Sequence, residues 1–229
     1  MQQPGGLTDA QFDANPRQSL RNRNWFGVPW NIFSLNFDTK VNANFDVNVK
    51  AFGLIGERNS VGFTSAANIE DVIATNQYAN RRVDSEKYNN IGIENRNILR
   101  YKFGKLNQNL AFGVRLYQAK TERFQKGKGT TGSDFDLSIE GKYPTSLEFT
   151  TKNSAFFAEN QFKLSNQFSI TPGIRFEHIN STAKGRIDIV SGNNITIENQ
   201  TITRNKPLFG IGLEYKWMKT NFYANISQA

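Results

Sequence analysis

The sequence contains no cysteine, a single histidine and only six prolines in 229 residues. Without cysteine, a disulfide-stapled scaffold, a thiolate metal site and a cysteine nucleophile are all excluded. The one histidine, His178, has no second histidine with which to share a metal, and the sequence pairs it with no nucleophile. No catalytic residue, resident metal or cofactor is therefore expected. Long apolar runs are missing too: the longest span a few residues, against the roughly 20 that a membrane-spanning helix requires. The amino terminus, MQQPGGLTDAQFDANPRQ, has neither a basic n-region nor an apolar h-region, so no secretory signal is read there.

What is present is aromatic and polar at once. Aromatics reach 13%, with 19 phenylalanines, in a chain of only 38% apolar residues. That content argues against disorder and for strands with one wet and one greasy face. Low hydropathy does not exclude a membrane barrel, because a transmembrane strand needs only about 9 to 11 residues with every second one apolar. Net charge is +8. Nucleic acid, anionic lipid and an acidic small molecule would each answer such a charge, and its size alone does not choose among them.

Alternation begins at Phe33, Leu35, Phe37 and resumes after Asn42-Ala43-Asn44 with Phe45, Val47, Val49, Ala51. Period two around a short break predicts a tight antiparallel hairpin. The pattern returns three times. Residues 91–103 turn at Gly104-Lys105 into Leu110, Phe112, Val114, Leu116. Phe156, Ala158, Phe162 turn at Ser165-Asn166-Gln167 into Phe168, Ile170, Ile174, Phe176. Phe209, Ile211, Leu213, Tyr215 turn at residues 217–219 into Phe222, Ala224, Ile226. The expectation is all-β: eight antiparallel strands in four hairpins, joined by polar stretches at 56–90, 120–153 and 180–206.

Short turns on one side and long connections on the other are the organisation of an outer-membrane barrel. Residues 168–178 are long enough to cross its apolar band, projecting to about 25 Å at a tilt near 45°. Arg115, Glu159, Lys163, Arg175, Glu177, Glu214 and Lys216 share the side opposite the apolar residues, as a wet lumen requires. A soluble sandwich or lipocalin-like barrel binding carbohydrate or nucleic acid also alternates, with its apolar face inward.

Several stretches carry a family resemblance. RNRNWFGVPWNIFSLNFDTK, KAFGLIGERNSVGF, RFQKGKGTTGSDFDL, AFFAENQFKLSNQFSITPGIRFEHIN and TNFYANISQA resemble the barrel region of TonB-dependent receptors of the ferric dicitrate type. The most specific segment carries Thr171-Pro172-Gly173-Ile174-Arg175-Phe176-Glu177. The resemblance implies a segment of a transmembrane β-barrel of about 22 strands, in the bacterial outer membrane, plugged by a separate domain and importing ferric siderophores or citrate chelates. Nothing in 1–229 resembles the plug or the TonB box, and the end at Gln228-Ala229 is not the terminal aromatic strand of such barrels. The expected unit is a partial barrel domain that meets the TonB complex only through the missing plug. An outer-membrane barrel enzyme is the alternative.

The basic stretch Arg123, Lys126, Lys128, loosened by Gly127 and Gly129, is read as a ligand-facing loop, with Arg58 and the pair Arg81-Arg82 in another outer loop. Arginine binds carboxylates through paired hydrogen bonds that lysine cannot reproduce. Solvent or anionic lipopolysaccharide would satisfy the same cations, and no nucleic-acid partner is expected. GKGTTGS lacks the ending and the following helix of a phosphate-binding loop. Asp134 and Asp136 suggest a cation or merely water. Trp25, Trp30, Trp217, Tyr215 and Tyr223 are expected at the membrane interfaces.

Overall fold

The structure, a computed structural model, describes residues 1–3, 5–71, 78–188 and 194–228. Alternation becomes one antiparallel sheet of nine strands: β1 (Trp25–Gly27), β2 (Trp30–Asn42), β3 (Phe45–Gly62), β4 (Arg82–Phe103), β5 (Leu106–Lys128), β6 (Thr145–Lys163), β7 (Phe168–Ile187), β8 (Ile195–Trp217) and β9 (Thr220–Ser227). A short helix, α1 (Asp9–Ala14), precedes them. Thr8 caps it: its hydroxyl accepts from the Gln11 amide and the Gln11 side chain accepts from the Thr8 amide.

β1 and β2 both pair with β3 and share one lane of the sheet. The break falls at Val28-Pro29, where proline offers no amide to the ladder and its carbonyl instead accepts from the Glu57 amide at 3.0 Å. Eight lanes in four tight hairpins therefore stand as the alternation predicts, each lane beside its neighbour in sequence. Gly104 supplies the positive φ of +62° that its hairpin turn requires.

The connections differ from expectation. Strand runs into both ends of stretches 56–90, 120–153 and 180–206, and the intervening segments shrink to 63–81, 129–144 and 188–194, of which 72–77 and 189–193 lie outside the described residues. Beyond the apolar band both strand faces are polar, so the hydrophobic period disappears while backbone pairing continues. At about 3.3 Å per residue and a tilt near 45°, the 23 residues of β5 project to about 54 Å, roughly twice an apolar band of about 25 Å.

Register sorts the side chains into two faces. One face carries Leu35, Val49, Ile93, Val114, Phe156, Phe176, Phe209 and Phe222. The opposite face carries Lys50, Glu94, Arg115, Ala155, Glu177 and Lys206 in a single row across six strands. Among the described residues only Val61, Val83 and Ala155 are buried apolar side chains, while Leu35 is 73% exposed and Leu116 53%. A sheet with almost no buried apolar core and a continuous exposed apolar face is built for lipid, which removes the soluble sandwich.

Close packing within the sheet comes from rings laid over glycines. Phe33 covers Gly53, Phe52 covers Gly92 and Phe157 covers Gly113, so that a Cβ at any of the three would strike a ring. Two amides on the apolar face are satisfied locally: Asn97 donates to Asn95 Oδ1 at 2.5 Å, and Asn95 donates to the Asn48 carbonyl at 3.3 Å. Phe45 and Phe112, stacked 6.4 Å apart, flank them. The aromatic belt is smaller than expected. Tyr215 and Trp217 lie on the apolar face near the short turns, but Trp30 and Tyr223 fall on the polar face by register, and Trp25 is drawn to the far end, where its Nε1 donates to the Ser133 carbonyl at 2.7 Å.

Candidate ligand-binding site

At the long-connection end of the polar face, Arg58 on β3, Glu86 on β4 and Arg123 on β5 are consecutive register partners. Adjacent strands lie about 4.8 Å apart, so the two guanidiniums rise from backbones about 10 Å apart with the carboxylate between them. Glu86 is 4% exposed. Its Oε2 lies 3.4 Å from Arg58 Nη1 and accepts from the Tyr88 hydroxyl at 2.5 Å, and its Oε1 lies 2.8 Å from Arg123 Nε. The Arg123 contact is an ion pair without a hydrogen bond, because the Nε–H is not aimed at the carboxylate. Both arginines keep a large exposed fraction. Rings support them: Arg58 lies 5.7 Å from the centre of Phe26, Arg123 5.9 Å from Phe149, and Trp30 packs against Tyr88. Two cations sharing one anion leave the cluster net positive, with guanidinium edges free for a carboxylate-bearing ligand.

The remaining basic candidates divide differently from the reading as loop residues. Arg58, Arg82, Arg123, Lys126 and Lys128 all lie on strands. Arg82 pairs with Asp84 at 2.9 Å and Lys128 with Glu140 at 2.6 Å. Lys126 sits at a bulge with φ of +63°, its amide donating to Asp84 Oδ1 at 2.7 Å, and its side chain makes no ion pair among the described residues. Arg81 alone precedes its strand, and it is 1% exposed.

Arg81 belongs to a buried set that ties the outer segments together. Its guanidinium donates to the carbonyls of Asp134 (2.6 Å) and Arg23 (3.3 Å) and to Thr130 Oγ1 (2.9 Å). Burial, with Arg23 nearby, pulls its pKa below the usual arginine value. Arg23 forms a bidentate pair with Asp71 and also donates to the Thr131 carbonyl at 3.0 Å, its guanidinium lying over the Tyr78 ring. Arg21 donates to the carbonyls of Ala66 and Ile69. Buried guanidiniums thus answer backbone carbonyls that the irregular segments leave without ladder partners.

The acidic pair is spent in the same way. Asp134 lies 3.6 Å from Arg81 Nη2, and Asp136 accepts from the Ser138 amide at 2.9 Å, which holds its carboxyl below the usual carboxylate range. No group of three potential metal ligands occurs among the described residues. His178 lies on the apolar face, its Nδ1 2.7 Å from Asn205 Oδ1. Glu86, Tyr88, Phe26 and Phe149 escaped sequence reading, and Trp30 was read only as a membrane-interface residue, because only cross-strand register brings them to Arg58 and Arg123.

A family model described as TonB dependent receptor-like, beta-barrel matches residues 2–229. The unliganded ferric citrate transporter FecA superposes with a TM-score of 0.74 at 23% identity, over 97% of this chain and 30% of that one. The open form of the ferric-catecholate import receptor Fiu from E. coli K12 gives 0.65 at 14%, over 89% and 36%. The siderophore receptor PiuA from Acinetobacter baumannii gives 0.65 at 12%, over 89% and 32%. The chain spans about a third of the length of these receptors.

Proposed function

Because the chain belongs to the TonB-dependent receptor-like β-barrel family, we propose that it forms part of the wall and the outer ligand-capturing rim of a receptor that takes up an anionic ferric chelate. Barrels of this family lie in the bacterial outer membrane, so the apolar face meets lipid and the polar face lines the lumen. The family and its structural neighbours are transport receptors, which displaces the barrel-enzyme alternative.

The observation that carries the reading is the Arg58–Glu86–Arg123 cluster. It faces the lumen at the end where ligand arrives, and its half-exposed guanidiniums suit carboxylate or other anionic oxygen. Ferric citrate is the cargo we favour, with other siderophores as the next class. The sheet's two unpaired edges, along β2 and β9, are where further strands of a larger barrel would join. In that account the chain alone transports nothing, and energy coupling passes through a plug held elsewhere in the protein.

The test is binding of ferric citrate and of a ferric catecholate to the full-length receptor and to its Arg58→Ala/Arg123→Ala variant. Loss of about tenfold or more in affinity for one chelate identifies both site and cargo class. Unchanged affinity for both would remove the cluster from ligand binding.

A further inference from the structure

The rim cluster has a counterpart deeper on the same three strands. Eight residues nearer the short turns on each strand, Lys50 on β3 stands as Arg58 does, Glu94 on β4 as Glu86 does, and Arg115 on β5 as Arg123 does. The three are again consecutive register partners. That step is about 26 Å along the strands and about 19 Å along the barrel axis at a tilt near 45°. On β5 the lower cluster lies between the lipid-facing positions Val114 and Leu116, so it sits on the lumenal face at the level of the apolar band.

The construction is alike at both levels. Glu94 is buried; its Oε1 accepts from Arg96 Nε and its Oε2 lies 3.9 Å from Arg115 Nη1. Arg115 rests on rings as Arg123 does, 5.2 Å from the centre of Phe52 and 5.6 Å from that of Tyr117, and these two stack 6.3 Å apart. The cations face outward and the carboxylate inward: the Arg96 and Arg115 side chains are 64% and 37% exposed, against 10% for Glu94. Lys50 is exposed and makes no ion pair among the described residues. The neighbouring carboxylates are engaged elsewhere, Glu177 by Arg175 and Asn153, and Asp38 by Asn48. Between the two levels, from Tyr88 and Thr121 down to Gly92 and Tyr117, the lumenal rows of β3, β4 and β5 carry no charge. An anion moving down this wall therefore meets opposite charge at two levels and none between.

We infer that Lys50, Arg96 and Arg115 form a second station for the anionic chelate captured at the rim, deeper in the lumen. The ligand class rests on the rim reading above. The repeat of cation, buried glutamate and ring-supported arginine selects the same chemistry, carboxylate or other anionic oxygen taken by ammonium and guanidinium donors. Two sites of moderate strength pass a ligand onward more readily than a single strong one.

The experiment uses crystals of the full-length receptor, soaked separately with ferric citrate and with a ferric catecholate, in which anomalous scattering locates iron. A second iron peak is expected beside Arg115, about 19 Å below the one at the rim. Lys50→Gln/Glu94→Gln/Arg96→Gln/Arg115→Gln removes four charges together and leaves no buried carboxylate unpaired. It is expected to erase the lower peak, keep the upper one and slow iron uptake by cells about tenfold. Arg58→Ala/Arg123→Ala separates the two readings: an upper peak retained there removes the rim site, while the lower peak still decides the inference. The wild-type map alone suffices where a variant fails to assemble. No lower peak with either chelate, a lower peak that survives the glutamine substitutions, or uptake as fast as that of the wild type would each overturn the proposal. So would a plug more open to protease in the glutamine variant, which would assign the cluster to holding the plug.

Discussion

Arg123 Nε lies 2.8 Å from Glu86 Oε1 without donating a hydrogen bond to it. An ion pair so poorly aligned holds the guanidinium in place with its Nε buried, while the rest of the side chain, 41% exposed, stays open to a ligand. Neutralising Glu86 removes a negative charge from the cluster while the arginines remain. Glu86→Gln is therefore expected to tighten binding of an anionic chelate, by a factor of about seven if one unit charge about 7 Å away acts through an effective dielectric near 40. Isothermal titration of the receptor checks this; weaker binding would mean that Glu86 itself touches ligand.

Arg81 and Lys126 were equal candidates by composition, and the structure separates them. Arg81→Ala leaves several buried carbonyls without donors and is expected to open segment 129–144 by about 3 kcal/mol. Lys126→Ala, on an exposed side chain, is expected to cost under about 0.5 kcal/mol. Hydrogen exchange at the Gly129 amide, which donates to the Arg81 carbonyl at 2.7 Å, reads both. Equal protection in the two variants would refute the assignment.

A Cβ at Gly113 would sit 2.0 Å from the Asn95 carbonyl oxygen and 2.7 Å from the Phe157 ring. Backbone cannot yield as a side-chain tip does, so Gly113→Val is expected to abolish assembly of the sheet, seen as loss of heat-modifiable migration on a gel. Gly104→Ala meets nothing within 4 Å and carries only the penalty of its positive φ, about 1 kcal/mol. It should assemble.

Asp136 titrates below the usual carboxylate range because the Ser138 amide and hydroxyl hydrogen-bond its charged form. A folded pKa lowered in this way gives stability that is present above the unfolded value and lost as pH falls through the folded one. Acidification below the ordinary aspartate range should therefore loosen segment 129–144 to protease, and Asp136→Asn should flatten that pH dependence. A variant as acid-sensitive as the wild type would locate the effect elsewhere.

Hairpins, turn positions and the two-faced character of the sheet were legible wherever one face was apolar, as at Phe33-Leu35-Phe37 and Leu110 to Leu116. Strand extent was not, because Arg58, Lys87 and Arg123 lie where both faces are polar and only backbone pairing persists. The same cause hid the site. Arg58 and Arg123 were picked out by residue type, but Glu86 between them depends on a register that turn lengths and side-chain packing set together. Arg81 looked like a ligand cation, but its guanidinium is buried among backbone carbonyls, and nothing in an Arg-Arg pair announces that burial.

The central claim is that one strand face meets lipid and the other the water-filled or plugged lumen. The absence of cysteine from these 229 residues permits a direct measurement: single cysteines placed in turn at positions 110, 111, 112, 114, 115, 116 and 117 of β5 in the full-length receptor, leaving out Gly113, which has no room for a Cβ, then labelled in intact outer membranes with a water-soluble and a lipid-soluble thiol reagent. Strict alternation is expected, with the Leu110, Phe112, Val114 and Leu116 positions reached from lipid and the Ala111, Arg115 and Tyr117 positions never reached from lipid. Uniform labelling, or the opposite phase, would contradict it.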